Sequence, residues 1–330
     1  MPAFPKFTRR AVMLGLASAL VGAAAPSAMA ASYPDRPVHL IVPFAPGGST
    51  DLVGRLIAEY VGRELGGTIV VENKAGAGGA VGAEFIARAK PDGYTIGMAT
   101  VSTHGANPAI RRGLKYDALN DFALISNVMG IPSVFAVHPG VPAETMPEFI
   151  ALAKAEPGKY SFASPGVGSL GHANISNFMM LADIELLHVP YRGSGPAIND
   201  AIAGQVDSLT DNLSSTLPHL VEGRLRPLAI LGAERSDVLP DIPTYAELGF
   251  PAMGTGGWFG LVAPAGLPED IVARLNEAVR KAAQNPEFRE KAAAAGGTIM
   301  VNTPAEFREQ VKQTLERYAK VAKAANIQAD

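Results

Sequence analysis

The chain has 330 residues, 48% hydrophobic and 18% charged, with 28 Lys and Arg set against 31 Asp and Glu. The slight acidic balance argues against nucleic acid or an anionic membrane as partner, and the lack of any cysteine excludes disulfides and the lipid-bearing cysteine of a bacterial lipoprotein. A chain this long and this apolar can bury a sizeable core and suggests two domains.

Residues 1–30 read as a secretory signal rather than as fold. Lys6, Arg9 and Arg10 precede the apolar run AVMLGLASALVGAAA, and Ala28-Met29-Ala30 offers small residues for cleavage after Ala30. The Arg9-Arg10 pair suits twin-arginine export, but Val12 stands where an aromatic is usual, so the Sec route stays open. Loss of these three cations would take the formal charge from −3 to −6. No later run approaches the length of a membrane span, so the expected product is a free periplasmic protein, taken as a monomer.

VHLIVPFAPGGSTD, Val38 to Asp51, reads as a buried strand that passes through a Pro/Gly turn into a helix start. Gly47 and Gly48 let a ligand approach the backbone, and the N–H groups of Ser49, Thr50 and Asp51 would face it with the positive end of the helix dipole behind them, which makes an anion seat. Leu52, Val53, Leu56, Ile57, Tyr60, Val61 and Leu65 then recur at helical spacing. TIVVEN reads as a strand, GGAVGAEFIARA as a helix and YTIGMAT as a strand, the alternation of a parallel sheet with crossover helices. Two apolar strands, FALISNV and SVFAV, flank a Gly130-Ile131-Pro132 break, read as the crossing into a second domain.

The alternation restarts with FIALAKA and KYSFAS, and PGVGSLGH then repeats the first turn, with Ser164, Gly168, Ser169 and His172 around it. LLHVPY, PAINDAIAG, QVDSLTDN and RPLAILG continue the second domain. WFGLVAP, EDIVARLNEAVRKAA and AEFREQVKQTLERYAKVAKAA return to the first. The division expected is residues 31–130 with 252–330, and 131–251.

Enzyme motifs fit poorly. Gly166 to Gly171 matches the dinucleotide pattern G-x-G-x-x-G, but Glu185 precedes the next strand, whereas a ribose-binding acid belongs at its far end, where Pro190 and Tyr191 stand. Val167 spoils a nucleophile elbow around Ser169, so a hydrolase using Ser169 with His172 or His104 and Asp211 is the lesser reading. The histidines lack metal-ligand spacing, and neither a metal nor a cofactor is expected.

The strings YPDRPVHLIVPFAPGGSTD, VENKAGAGGAVGAEFIARAKPDGYT, THGANPAI, YSFASPGVGSLGH, HVPYRGSGPAINDAIAGQVD, DNLSSTLPHLVEGRLRPLAI and WFGLVAPAGLP, in this order, resemble the Bug family of periplasmic solute-binding proteins, receptors of tripartite tricarboxylate transporters. The resemblance implies a two-domain α/β type II periplasmic binding protein fold that closes as a Venus flytrap on a ligand in the cleft between its domains. It implies no catalysis. It further implies a small organic carboxylate as ligand, transporter membrane subunits as partners, and two jaws. The first jaw is Phe44, Ala45, Gly47, Gly48, Ser49 and Thr50, with Thr103 and His104 nearby. The second is Ser164, Gly168, Ser169 and His172, with Tyr191 and Asp211 as further wall residues.

Overall fold

The computed structural model describes residues 33–254 and 256–329, and the signal read at residues 1–30 lies outside them. From Pro34 onward the chain builds two sheets. Strand β1 (Val38–Val42) leads into helix α1 (Ser49–Leu65), then β2 (Ile69–Asn73), α2 (Ala80–Ala87) and β3 (Thr95–Thr100). The crossovers set β1 parallel to both β2 and β3. α1 buries Val53, Ile57, Tyr60, Val61 and Leu65 along one stripe, as their spacing predicts, while Leu52 stays 42% exposed at the edge of that stripe.

A π-type turn at Ser102–Ala106 and short α3 (Asn107–Ile110) lead to β4 (Phe122–Ile131). After Pro132 alone, β5 (Ser133–Val137) opens the second sheet. There follow α4 (Met146–Ala155), β6 (Ser161–Ser164), α5 (Leu170–Ala182), β7 (Leu187–Pro190), α6 (Ser194–Ile202), β8 (Ser208–Asn212), α7 (Leu213–Val221) and β9 (Arg226–Leu231). The chain then re-enters the first sheet as β10 (Gly257–Pro264), followed by α8 (Glu269–Ala282), α9 (Pro286–Ala294), β11 (Thr298–Ile299) and α10 (Pro304–Ala324).

The first sheet has the order β11-β4-β10-β3-β1-β2 and the second β7-β6-β8-β5-β9. Both are mixed, whereas the βα alternation alone predicts parallel sheets. β10 runs antiparallel to β3 and β4, and β5 antiparallel to β8 and β9. These are the strands that carry the chain between the sheets. They arrive without the crossover helix that a parallel neighbour requires.

Each sheet has its own core. Ile41, Ile86, Tyr116, Phe122, Phe307, Val311 and Tyr318 belong to the first, and Phe135, Phe149, Phe162, Phe178 and Tyr245 to the second. Leu170 and Ala173, from the start of α5, pack into the first core although α5 belongs with the second sheet. The N-terminus of that helix is thereby anchored on the opposite lobe.

Candidate functional site

The parallel strands of both sheets end at one common edge, where α/β proteins place their ligands. From the first lobe, the exits of β1 and β3 bring Phe44, Ser49, Thr50 and Thr100 to Ser102 there. The second supplies Pro165 after β6, Ser194 opening α6, and Asp211 and Asn212 ending β8. The antiparallel strands β5 and β10 add Ser133 and Gly257 to Phe259 by their starts. Together these residues line a cavity of about 30 Å³, room for a water or two.

Around it the lobes touch. Ser49 Oγ lies 2.6 Å from Ser215 Oγ, the Leu170 N–H donates to Ser102 Oγ at 2.9 Å, Arg111 donates to Val167 O at 2.7 Å, and the Ala45 N–H reaches Arg192 O at 3.3 Å. Glycines permit the closest approaches. A Cβ built on Gly195 would lie 2.4 Å from Pro46 O, and one on Gly48 2.9 Å from Ser194 Cβ.

At the start of α1 the Asp51 N–H is already bonded to Gly48 O at 3.0 Å, so it is the Ser49 and Thr50 amides that lack a helical acceptor. Asp51 instead holds the turn from behind, accepting from the Gly47 N–H at 3.0 Å, Asn73 Nδ2 at 2.9 Å and Arg55 Nε at 3.0 Å. Asp211 sits where three helix starts converge. Ser194 Oγ donates to it at 2.7 Å, Ser215 Oγ donates from α7, and Ser49 Oγ reaches it at 3.4 Å. Burial pushes its carboxyl up from the ordinary range, against the opposing pull of the Ser215 and Ser194 hydroxyls.

Of the residues named from the sequence, Phe44, Ser49, Thr50 and Asp211 line the cavity. Ala45, Gly47 and Gly48 form the turn behind Ser49. Thr103 and His104 are fully buried, with Thr103 Oγ1 2.9 Å from His104 Nδ1 and the His104 ring 4.7 Å from that of Phe122. Ser164 Oγ pairs with His188 Nε2 at 2.6 Å, and Ser169 Oγ caps α5 by accepting from the His172 N–H at 3.3 Å. His172 stacks on His188 with ring centroids 4.4 Å apart, and its Nδ1 accepts from the Gly168 N–H. Tyr191 donates its hydroxyl to Asp200 at 2.7 Å.

A triad is not assembled from these groups, because the Ser169 hydroxyl, the His172 ring and the Asp211 carboxylate are each engaged with different partners. Among the described residues no group of His, Asp or Glu is placed to hold a metal. Ser102, Ser133, Ser194, Asn212 and Ser215 were not singled out by sequence reasoning, and Trp258, read there as core or a hinge-side aromatic, lines the cavity. Ser194 had a legible signal, since Arg192-Gly193-Ser194-Gly195 is a third Gly-bearing turn from strand to helix.

Burial holds His104 neutral, lowering its pKa to about 3 from an ordinary 6.5. Between those values the unfolded chain binds a proton that the native state refuses. Stability is therefore full above pH 6.5 and falls on acidification by up to about 1.4 kcal/mol per pH unit. Urea midpoints at pH 7.5, 6 and 5 should fall in the wild type and fall less steeply in His104→Phe. Equal slopes would show that His104 titrates normally.

The chain matches the family model described as tripartite tricarboxylate transporter family receptor over residues 53–327. It is 36% identical over 317 residues to protein BugT of Bordetella pertussis (strain Tohama I), spanning 96% of this chain and 97% of that one. The structure of the periplasmic binding protein BugD superposes with a TM-score of 0.88 at 32% identity, covering 90% of this chain and 100% of that one. MatC from Rhodopseudomonas palustris, with bound malate, superposes with a TM-score of 0.84 at 34% identity, covering 88% and 99% respectively. The two mixed sheets are therefore those of a periplasmic binding protein, and this chain belongs to the tripartite tricarboxylate transporter receptor family, the Bug proteins.

Proposed function

We propose that the protein is an exported, monomeric receptor that captures a small organic carboxylate between its lobes in the periplasm and presents it to transporter membrane subunits. The observation that carries this is the cavity wall: helix starts from both lobes and a ring of hydroxyls, without lysine, arginine or histidine. Such a wall suits an anion held by backbone dipoles rather than by a salt bridge. The malate bound by MatC supports the same ligand class. A dicarboxylate is far larger than the present cavity, so entry requires the lobes to part, and they then close around the ligand. The two chain crossings, at Pro132 and before Gly257, are the hinge, and the lobes divide there, close to the expected 130/131 and 251/252 boundaries, with Ile131 kept in the first sheet and Met253 in the second core. The Gly47–Gly48 and Gly166–Gly168 loops are the jaws.

A thermal-shift screen of C3 to C6 carboxylates, malate included, tests this on the mature protein. A true ligand at a hundredfold excess over its Kd adds about 2.7 kcal/mol of stability and is recovered unchanged. A flat screen, or ester turnover that disappears in Ser169→Ala, would reject the receptor reading.

A further inference from the structure

The cavity assigned to the ligand carries a charge of the wrong sign. Asp211, 7% exposed, is the one ionisable side chain in its lining. Ser49 and Ser194, the first residues of α1 and α6, direct their hydroxyls at its carboxylate, so the protein's own anion already lies between two helix starts. The hydroxyls cannot all serve it at once. Ser49 and Ser215 stand 2.6 Å apart, so one hydroxyl donates to the other and only one of their two protons is left for Asp211, and Ser215 also lies 3.1 Å from Asn212 O.

The other ionisable groups on the packed elements are engaged elsewhere or set further along. On α1, Asp51 is tied to Arg55 and Asn73. On α6, Asp200 accepts from Tyr191. On β7, His188 pairs with Ser164, and His219 lies one turn beyond Ser215 on α7. A ligand carboxylate entering this space would bring a second negative charge into a desolvated pocket whose lining supplies no cation. Two carboxylates in such a site do not both stay ionised.

We propose that the receptor takes up its carboxylate ligand together with one proton, held between Asp211 and the ligand. This rests on the receptor reading. With the lobes parted Asp211 meets water, where an aspartate ionises near pH 4. On closure one proton passes from solvent to a carboxylate oxygen of the pair, leaving a single net negative charge for the helix starts and hydroxyls to hold. Binding then weakens as pH rises.

Titration calorimetry of the mature protein with malate, or with the strongest carboxylate of the thermal-shift screen, tests this in buffers of different ionisation enthalpy. The expected uptake is about one proton per ligand at pH 7, with Kd rising about tenfold per pH unit from pH 6 to 8. Asp211→Asn should bind with a flat profile and no uptake over the same range. The wild-type measurement decides even if that variant fails to fold. Wild-type binding without proton uptake, or uptake undiminished in Asp211→Asn, overturns the proton link and leaves the receptor reading standing. Absence of binding by every carboxylate at every pH overturns the receptor reading and the proton link with it.

Discussion

Gly195→Ala is expected to weaken ligand binding about a hundredfold while leaving the unliganded protein as stable as the wild type. Gly195 is the second residue of α6 and precedes Pro196, so the better helix propensity of alanine, up to about 1 kcal/mol, is offset by the crowding of its Cβ against the proline ring. Within its own lobe the substitution is therefore close to neutral. Across the cleft it is not, because the new Cβ would stand 2.4 Å from Pro46 O and 3.5 Å from Gly47 C. A backbone oxygen cannot rotate away as a long side chain would. Overpacking of this kind costs about 1 to 3 kcal/mol, and the upper figure is about a hundredfold in Kd. The cost arises only when the lobes meet. Small-angle scattering should thus show the wild type compact with ligand and the variant still open at the same concentration. Gly78 also faces the other lobe, with a Cβ position 2.4 Å from Val167 O, but its φ of +61° would add backbone strain and blur the result. If Gly195→Ala binds like the wild type, the contact between α6 and the Pro46 turn does not belong to the bound state.

Asp51→Ala should produce the largest loss of stability among changes near the cleft, about 2 to 3 kcal/mol. Asp51 is 3% exposed, and its carboxylate gathers the Gly47 N–H, Asn73 Nδ2 and the Arg55 guanidinium, while Asn73 also donates to Phe44 O at 3.0 Å. Removal leaves the Gly47 N–H and one Asn73 hydrogen without an acceptor. Arg55, whose side chain is 54% exposed, returns to water, so its share of the loss is small. Burial works against the Asp51 charge, but the bonds from Arg55, Gly47 and Asn73 outweigh it and hold the carboxyl below its ordinary 3.8. A lowered carboxyl contributes stability above pH 3.8 that is lost as pH falls through its folded value. Urea midpoints of variant and wild type should therefore differ at pH 7 and draw together below pH 4. Ligand affinity should also drop about tenfold, since the turn that presents Ser49 and Thr50 is loosened. A stability loss under about 0.5 kcal/mol would mean that the turn holds without Asp51.

Local chemistry was open to reading from the sequence alone. Strand, Gly turn and helix start succeed one another at Val38–Leu65 and again at Ser161–Ala182, because each step depends on residues within a few positions. The long motif strings carried the family, and with it the fold. Where local signals conflict, elements went unread: Pro218 lies inside α7 and obscures it, and α9 is a single short helix beside the stronger periodicity of α8 and α10. Tertiary structure alone decided the rest. His104 and His172 follow strands, as ligand-facing residues do, yet packing encloses one beside Phe122 and stacks the other on His188. Asp211 resembles a helix cap in sequence, but Asn212 takes the cap position. The Asp211 carboxylate instead meets Ser49 from 162 positions away. No local propensity encodes that meeting, which exists only because two mixed sheets, each with its own core, bring the carboxyl ends of their parallel strands to one edge.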